Sequence, residues 1–316
     1  MKSSDASSEK KPSAETPHVH GPHCNHGPSP PSPAKPAAPT AAKLPILSKL
    51  NNVKYMIAVS SGKGGVGKST VAVNLALALS QLQKRVGLLD ADIYGPSMPT
   101  MMNLLNERPK LTEKNKLIPL VNYGIECMSM GFLVNQDAPT IWRGPMVMSA
   151  LDQMLHEVEW SNLDILVIDL PPGTGDAQLT LTQRTPLSGA IIVSTPQEVA
   201  LADVRRGANM FRKVNVPLLG LIENMSYFEP PCGCNQRYYI FGEGGAKKMA
   251  DTMNIDFLGE IPIDQTIREL CDAGKPSVAA KPDSPSSQIY RRIAQAILNK
   301  LEASVAPKAP TITIED

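Results

Sequence analysis

The chain has 316 residues, of which 42% are hydrophobic and 19% are charged, enough apolar material for a large α/β domain with its own core. Its 31 basic and 30 acidic residues leave a net charge of +1, which excludes broad electrostatic attraction to a nucleic-acid backbone or an anionic membrane. Five cysteines are too few for a disulfide-stapled scaffold and favour a reducing compartment. We therefore expect a local chemical site, with no nucleic-acid or membrane partner.

The amino-terminal segment differs in composition from the rest of the chain. Residues 1–43 are rich in Ser, Pro, Ala, Lys and His and hold nine of the 29 prolines, so they bury too little apolar surface to fold. The segment has no apolar run for a signal peptide, and it lacks the arginines of a mitochondrial presequence, since the first arginine is Arg85. We predict a disordered arm over 1–43, a folded domain over 44–302, a flexible tail over 303–316 and a cytoplasmic location.

The arm also contains a cluster of possible metal ligands. Its members are His18, His20, His23, Cys24 and His26. Such a cluster binds soft or borderline metal ions. We expect weak adventitious binding of Zn²⁺, Ni²⁺ or Cu²⁺ here.

Short apolar runs follow the arm at intervals, and each of them predicts a β-strand. In chain order they are 54–60, 85–89, 124–130, 164–168, 190–194, 217–222 and 256–261. Segments with helical spacing lie between most of them, such as 67–82 and a segment with Met146, Ala150 and Met154 on one face. A closing helix is expected after Ser284 as N-cap and Pro285 at the first helical position. The alternation predicts a three-layer α/β fold, a mostly parallel sheet with helices on both faces.

A glycine-rich loop joins the first predicted strand to the first predicted helix. Residues 61–70 are S-G-K-G-G-V-G-K-S-T, which in this context is typical of a P-loop NTPase and predicts binding of ATP with Mg²⁺. The glycines are expected to turn with positive φ and bring N–H groups to phosphate oxygens. Lys68 supplies charge for the β and γ phosphates, and Ser69 supplies a hydroxyl for Mg²⁺. The predicted nucleotide-binding residues are Gly62, Gly64, Gly65, Val66, Gly67, Lys68, Ser69 and Thr70.

Carboxylates follow two of the predicted strands directly. Asp90 and Asp92 come after the second strand, and Asp169 ends the fourth. Because the carboxyl ends of strands in such a sheet face the ligand crevice, Asp169 is predicted to hold Mg²⁺ directly or through water. The turn P-P-G-T-G at 171–175 is expected to contact the γ-phosphate through glycine N–H groups.

Two cysteines stand close together late in the chain, as Cys232-Gly233-Cys234. In an extended segment, residues two apart point to the same face, and Gly233 permits a tight turn, so both thiolates can face one metal. The residues alone leave open an iron–sulfur cluster, a Zn²⁺ ion shared between two chains, or incidental thiols. We expect Cys127 to be a buried apolar residue and assign no role to Cys271.

Several longer motifs accompany the loop and the cysteine pair. They are D-A-D-I-Y-G-P-S at 90–97, W-R-G-P-M at 142–146, D-L-P-P-G-T-G-D at 169–176, and E-N-M-S at 223–226 with I-F-G at 240–242. With them the chain, over roughly 43–301, resembles the Mrp/ApbC family of iron–sulfur cluster carriers, of the MinD/ParA-like class of P-loop ATPases. The resemblance implies a homodimer that holds a labile [4Fe-4S] cluster between its subunits, with Cys232 and Cys234 of each subunit as ligands. It also implies scaffold proteins and apo iron–sulfur proteins as partners.

The same resemblance assigns roles to single residues. Lys63 would reach the nucleotide of the partner subunit, Asp92 would position the attacking water, and Asn224 would lie near the adenine. With Lys68 these residues imply slow ATP hydrolysis coupled to cluster loading or release. The family usually has C-x-x-C where this chain has C-x-C.

Other functions of the same class remain as alternatives. A MinD/ParA-like positioning ATPase needs a basic amphipathic carboxyl-terminal helix or a basic surface, and the end of the chain and its net charge of +1 provide neither. An electron-donating reductase would need a cysteine soon after Asp169, and residues 170–195 contain none. A zinc-bridged dimeric ATPase without cluster transfer is a further alternative.

Overall fold

The computed structural model describes residues 50–133, 144–232, 234 and 236–305 of the chain. The predicted arm at 1–43, its histidine cluster, the last residues of the predicted tail and Trp142 and Arg143 of the W-R-G-P-M motif lie outside the described residues. In the described ranges, the strands are β1 (Val53–Ser61), β2 (Val86–Asp90), β3 (Leu120–Asn122), β4 (Ile125–Ser129), β5 (Leu163–Asp169), β6 (Gly189–Ser194), β7 (Leu218–Phe228) and β8 (Phe257–Ile263).

These strands form one sheet in the order β3-β4-β2-β5-β1-β6-β7-β8. All neighbours are parallel except β3, which pairs antiparallel with β4. The α/β fold that the alternation predicts is confirmed. The short edge strand β3 was not predicted, because three residues carry too little periodicity. Strand β7 continues past the predicted end at 222. The prediction stopped too early because the later residues of the strand are mostly polar or aromatic and do not extend the apolar run.

Helices connect the strands. They are α1 (Lys68–Gln81), α2 (Met98–Met101), α3 (Gly144–His156), α4 (Asp176–Arg184), α5 (Glu198–Lys213), α6 (Gly245–Met253), α7 (Gln265–Asp272), α8 (Ser277–Ala280) and α9 (Pro285–Val305). Helix α1 packs against α8 and α9, α3 packs against α4, and α5 packs against α6. None of the helices in the described ranges combines the length and apolar character needed to cross a lipid bilayer.

Burial explains the apolar runs of the central strands. Strands β2 and β6 are buried along their whole length, as expected for parallel strands covered on both sides. In α3 the predicted face is wrong at one position, because Met146 is 48% exposed and Val147 takes its place in the core. Helix α9 begins as predicted, with the Ser284 hydroxyl accepting a hydrogen bond from the Ser287 N–H at 3.2 Å, and it continues past the predicted boundary at 302.

The strand register brings the predicted site residues to one edge of the sheet. Asp169 lies beside Val59 of β1 on one side and beside Asp90 of β2 on the other. The loop between β1 and α1 therefore starts next to both carboxylates. This arrangement positions the candidate nucleotide site.

Candidate nucleotide site and cysteine hairpin

The glycines of the loop at 61–68 serve different purposes. Gly65 and Gly67 have φ of 81° and 79°, as predicted, and Gly67 directly precedes α1. Gly62 and Gly64 do not have positive φ, so that part of the prediction is wrong. At Gly62 a Cβ would overlap Asp203 of α5, so close approach of the helix requires glycine there.

The two glycines at 64 and 67 form a matched pair for mutation. A Cβ at Gly67 would overlap the Asn224 amide in a left-handed backbone, whereas Gly64 faces open space. We expect Gly67→Ala to lower the free energy of unfolding by about 1–3 kcal/mol and to weaken nucleotide binding. Gly64→Ala should change stability by no more than about 0.5 kcal/mol. Urea denaturation measures the difference in stability and nucleotide titration measures the binding loss of Gly67→Ala. Equal losses of stability in the two variants would contradict this account of the loop.

Lys68 and Asp169 form a buried ion pair below the loop. The Lys68 Nζ lies 2.6 Å from Asp169 Oδ1 and 3.2 Å from the Ser69 hydroxyl oxygen, and the two charged side chains are 6% and 0% exposed. Burial raises the pKa of the Asp169 carboxyl, and the Lys68 charge opposes this rise. Asp169 Oδ2 is buried without a hydrogen-bond partner among the described residues. A free carboxylate oxygen beside a serine hydroxyl suits the oxygen ligands that Mg²⁺ prefers, so these residues fit the predicted ion.

Asp90 and Asp92 lie at different depths. Asp90 is fully buried, and its carboxylate accepts hydrogen bonds from the N–H groups of Asp92, Ser97 and Met98 at 3.1–3.2 Å and from the Ser129 hydroxyl at 3.1 Å. It thereby holds the loop that follows β2. Asp92 is half-buried and faces the cavity above the phosphate loop. The geometry therefore agrees with Asp92 rather than Asp90 as the residue close to a bound phosphate.

Burial and the neighbouring Asp169 raise the pKa of Asp90 from 3.8 to about 7, against the opposing effects of the Met98 N–H and of Lys68. Because the folded pKa exceeds the unfolded one, this contribution to stability is complete below about pH 4 and is lost as the pH rises through about 7. We expect the free energy of unfolding of the nucleotide-free chain to fall between about pH 4 and pH 7 and to level off at higher pH in urea denaturation. Asp90→Asn should flatten this fall. Identical slopes in both proteins would contradict the assignment.

Two adjoining cavities lie at this edge of the sheet. The phosphate cavity, of about 310 Å³, is lined by the phosphate loop, by Asp92 and Gly95, and by Pro172. The large cavity, of about 680 Å³, shares Gly67, Thr70 and Met101 with it. Its remaining walls come from the end of β7, from Ile240 and Phe241, from the end of β8 with Asp264, and from one face of α7. The two cavities together form one continuous site above the sheet.

Asn224 joins β7 to the phosphate loop. The side chain lines the large cavity and donates a hydrogen bond from Nδ2 to the Val66 carbonyl oxygen at 2.8 Å. Asp264 and Arg268, which line the opposite wall, were missed in the sequence. The signal was present, because the carboxylate of Asp264 directly follows β8 at the carboxyl edge of the sheet, but the predicted strand ended at 261.

Lys63 lies outside the phosphate cavity, and the turn at 171–175 borders the cavity through Pro172 but has its Gly173 N–H engaged within the chain. The Lys63 ammonium lies 3.4 Å from the Gln197 side-chain oxygen, just before α5, and Lys63 does not line the phosphate cavity. The Gly173 N–H donates to the Ser61 carbonyl oxygen at 3.0 Å, so this donor is engaged by the loop itself. Both assignments to a bound nucleotide therefore stay predictions.

A hairpin presents the cysteine pair. Phe228 and Tyr238 exchange two backbone hydrogen bonds of 2.9 Å, which close the segment 229–237, here called the cysteine hairpin. Across its base, Arg237 pairs with Glu229 at 2.8 Å and lies 4.0 Å above the centre of the Tyr227 ring. These contacts hold the base of the hairpin in place, and the tip of the hairpin extends from the end of β7.

Cys232 and Cys234 are both exposed and free. A hydrogen bond with the Cys232 side chain, and a second with the Gln236 backbone, lower the pKa of the Cys234 thiol. The two sulfurs thus lie side by side, as the C-x-C spacing predicts. Cys127 and Cys271 are buried, and Cys271 lines the large cavity. Within the described ranges, no group of three or more His, Cys, Asp or Glu side chains is placed to hold a metal ion.

Known proteins resemble this chain over most of its length. A family model described as the NUBPL iron-transfer P-loop NTPase, of the ParA class, matches residues 52–298. The iron–sulfur cluster transfer protein NUBPL of Dictyostelium discoideum is 60% identical over 254 residues, covering 80% of this chain and 78% of the relative. An Arabidopsis thaliana relative, named iron–sulfur protein required for NADH dehydrogenase, mitochondrial, is 55% identical over 255 residues, covering 80% and 81%. A solved nucleotide-binding protein of Archaeoglobus fulgidus in complex with ADP is 40% identical with a TM-score of 0.66, covering 76% of this chain and 93% of that one.

Proposed function

This chain belongs to the NUBPL iron-transfer P-loop NTPase family, and we propose that it is an ATP-dependent carrier of a labile [4Fe-4S] cluster. The cluster is its cargo, received from scaffold proteins and passed to apo iron–sulfur proteins. The observation that carries this proposal is the pair of exposed, free thiols of Cys232 and Cys234, adjacent to each other at the tip of a braced hairpin. Iron–sulfur clusters are held by cysteine thiolates, and exposed thiols leave a bound cluster accessible to an acceptor protein.

A homodimer follows from ligand counting. Two thiols fill two of the four ligand positions of such a cluster, and a two-fold axis doubles them to four. The C-x-C spacing places both sulfurs of one chain on the same side, so the two hairpins would meet tip to tip. The dimer is thus supported by the number and placement of the cysteines.

The nucleotide part of the proposal rests on the two adjoining cavities. ATP would place its phosphates over Gly64, Gly65 and Gly67 with Lys68 beneath, and its base in the large cavity beside Asn224. Ser69 and Asp169 would hold Mg²⁺, which neutralises charge on the β and γ phosphates. We propose Asp92 as the residue that positions the attacking water, because it faces the phosphate cavity.

Lys63 is proposed to act across the dimer. Its ammonium sits beside Gln197 at the start of α5, outside the phosphate cavity of its own chain. The neighbouring Val199 is 72% exposed, so part of the surface beside Lys63 is apolar. A second copy that covered this surface would bring its own phosphates to Lys63 and would explain slow hydrolysis that depends on dimer formation.

The test is the metal content of the full chain after anaerobic purification or reconstitution with iron and sulfide. We expect about four iron and four acid-labile sulfide per two chains, with a visible absorbance that bleaches in air. One zinc per two chains without sulfide would favour the zinc-bridged alternative instead. Absence of both would overturn the carrier proposal. The cytoplasmic location remains a prediction, since the name of the Arabidopsis relative places that protein in mitochondria.

A further inference from the structure

The large cavity touches both flanks of the cysteine hairpin. Phe228, the last residue of β7, precedes the hairpin, and Ile240 and Phe241 follow it, and all three line the same cavity. The opposite end of this cavity opens onto the phosphate loop through Gly67 and Thr70. One ligand can therefore contact the phosphate loop and the base of the hairpin at once.

Backbone irregularity separates the hairpin from the regular part of the sheet. Met225, within β7, has a φ of 56°, which a residue with a side chain rarely adopts. The register between β7 and β8 shifts between Asn224 and Phe228, so the ladder is interrupted there. The hairpin is thus joined to the sheet by an irregular stretch of strand, and it is closed by the hydrogen bonds between Phe228 and Tyr238.

The wall of the large cavity beside the cysteine hairpin is partly exposed. Ile240 is 60% exposed although it lines the cavity. Mostly apolar cavities of about 300–1,000 Å³ are typical sites for small organic ligands. A nucleotide with its phosphates on the loop would reach this cavity with its base, because the cavity adjoins the loop at Gly67 and Thr70.

We propose that a nucleotide base bound in the large cavity reduces the conformational freedom of the cysteine hairpin. The base would pack between the phosphate-loop side of the cavity and the wall formed by Phe228, Ile240 and Phe241. This proposal rests on the proposed function, because it takes the phosphate loop as the nucleotide site and the hairpin as the thiol site. Because the base makes this contact, both ADP and ATP should order the hairpin, whereas a polyphosphate without a base should not.

Hydrogen exchange of the full chain tests this inference. Mass spectrometry follows the peptides of the phosphate loop and of residues 226–241, without ligand, with saturating Mg-ADP and with saturating Mg-tripolyphosphate. We expect Mg-ADP to slow exchange in both peptides, by at least about five-fold in the hairpin. Mg-tripolyphosphate should slow exchange in the phosphate loop alone.

Two variants separate the base contact from general effects on the hairpin. Ile240→Ala shortens the cavity wall, and at saturating Mg-ADP it should keep the protection of the loop while it loses most of the protection of the hairpin. Tyr238→Ala is the matched control, because it removes another exposed apolar side chain of the same segment that does not line the cavity. This control should keep both protections.

The outcomes distinguish this inference from the proposed function. If Mg-ADP protects the loop but not the hairpin, or if Mg-tripolyphosphate protects the hairpin equally, the inference is overturned and the nucleotide site stands. Equal loss of hairpin protection in Ile240→Ala and Tyr238→Ala would also overturn it. If Mg-ADP protects neither peptide, the proposed nucleotide site itself is wrong, and the inference fails with it.

Discussion

Anaerobic reconstitution of Cys234→Ala is expected to yield almost no cluster, against about four iron per two chains in the unchanged protein. In a symmetric dimer this single change removes two of the four thiolate ligands. It also removes the thiol whose pKa is lowered by its neighbour Cys232, and the thiolate is the form that binds metal. Iron and acid-labile sulfide analysis, with the visible spectrum, measures the loss.

Cys24→Ala is the matched control for this loss. It also removes one thiol per chain, but from the histidine-rich segment of the sequence rather than from the hairpin, so it should keep the cluster. Cys234 is exposed, so its replacement should leave the thermal midpoint of the cluster-free protein unchanged. Equal cluster content in Cys234→Ala and in the unchanged protein would refute the ligand assignment. Equal loss in both variants would move the site to the amino-terminal segment.

The sequence predicted those parts of the site that depend on strand order. A glycine-rich loop after one strand and aspartates after two others must meet, because parallel strands end at one edge of the sheet. Lys68, Asp92 and Asp169 are found together for this reason. Their adjacency required no knowledge of side-chain packing.

Features that depend on packing between distant segments could not be predicted in the same way. Glycine is required at position 62 because Asp203 approaches it closely. Asp90 has a structural role because its carboxylate accepts hydrogen bonds from a loop without regular structure. The brace of the cysteine hairpin, Arg237 on Glu229 and Tyr227, likewise has no periodic signal. These contacts join residues whose relation appears only when the chain is folded.

Nucleotide binding by Lys68→Ala is expected to be at least about 100-fold weaker, a loss of about 2.7 kcal/mol. The reason is that Lys68 is the cation at the base of the phosphate cavity, and charged hydrogen bonds to phosphate are the strong ones. Calorimetric titration with Mg-ADP measures the affinity. Lys63→Ala, in the same loop but outside the phosphate cavity, should keep this affinity in the single chain and lose hydrolysis in the dimer.

Lys68→Ala should also destabilise the nucleotide-free protein, by about 3–5 kcal/mol, because Asp169 is left buried without its partner. Burial already raises the pKa of Asp169 and Lys68 opposes that rise, so its loss raises the pKa further. The raised folded pKa makes proton uptake stabilising, and the destabilisation should therefore be smaller at about pH 6 than at about pH 8. Adding Asp169→Asn should restore stability, since it removes the unpaired charge, without restoring nucleotide binding. If the double variant regained binding, Lys68 would not be the cation that binds the nucleotide. If the single variant lost cluster while still folded, Lys68 would act on more than the nucleotide.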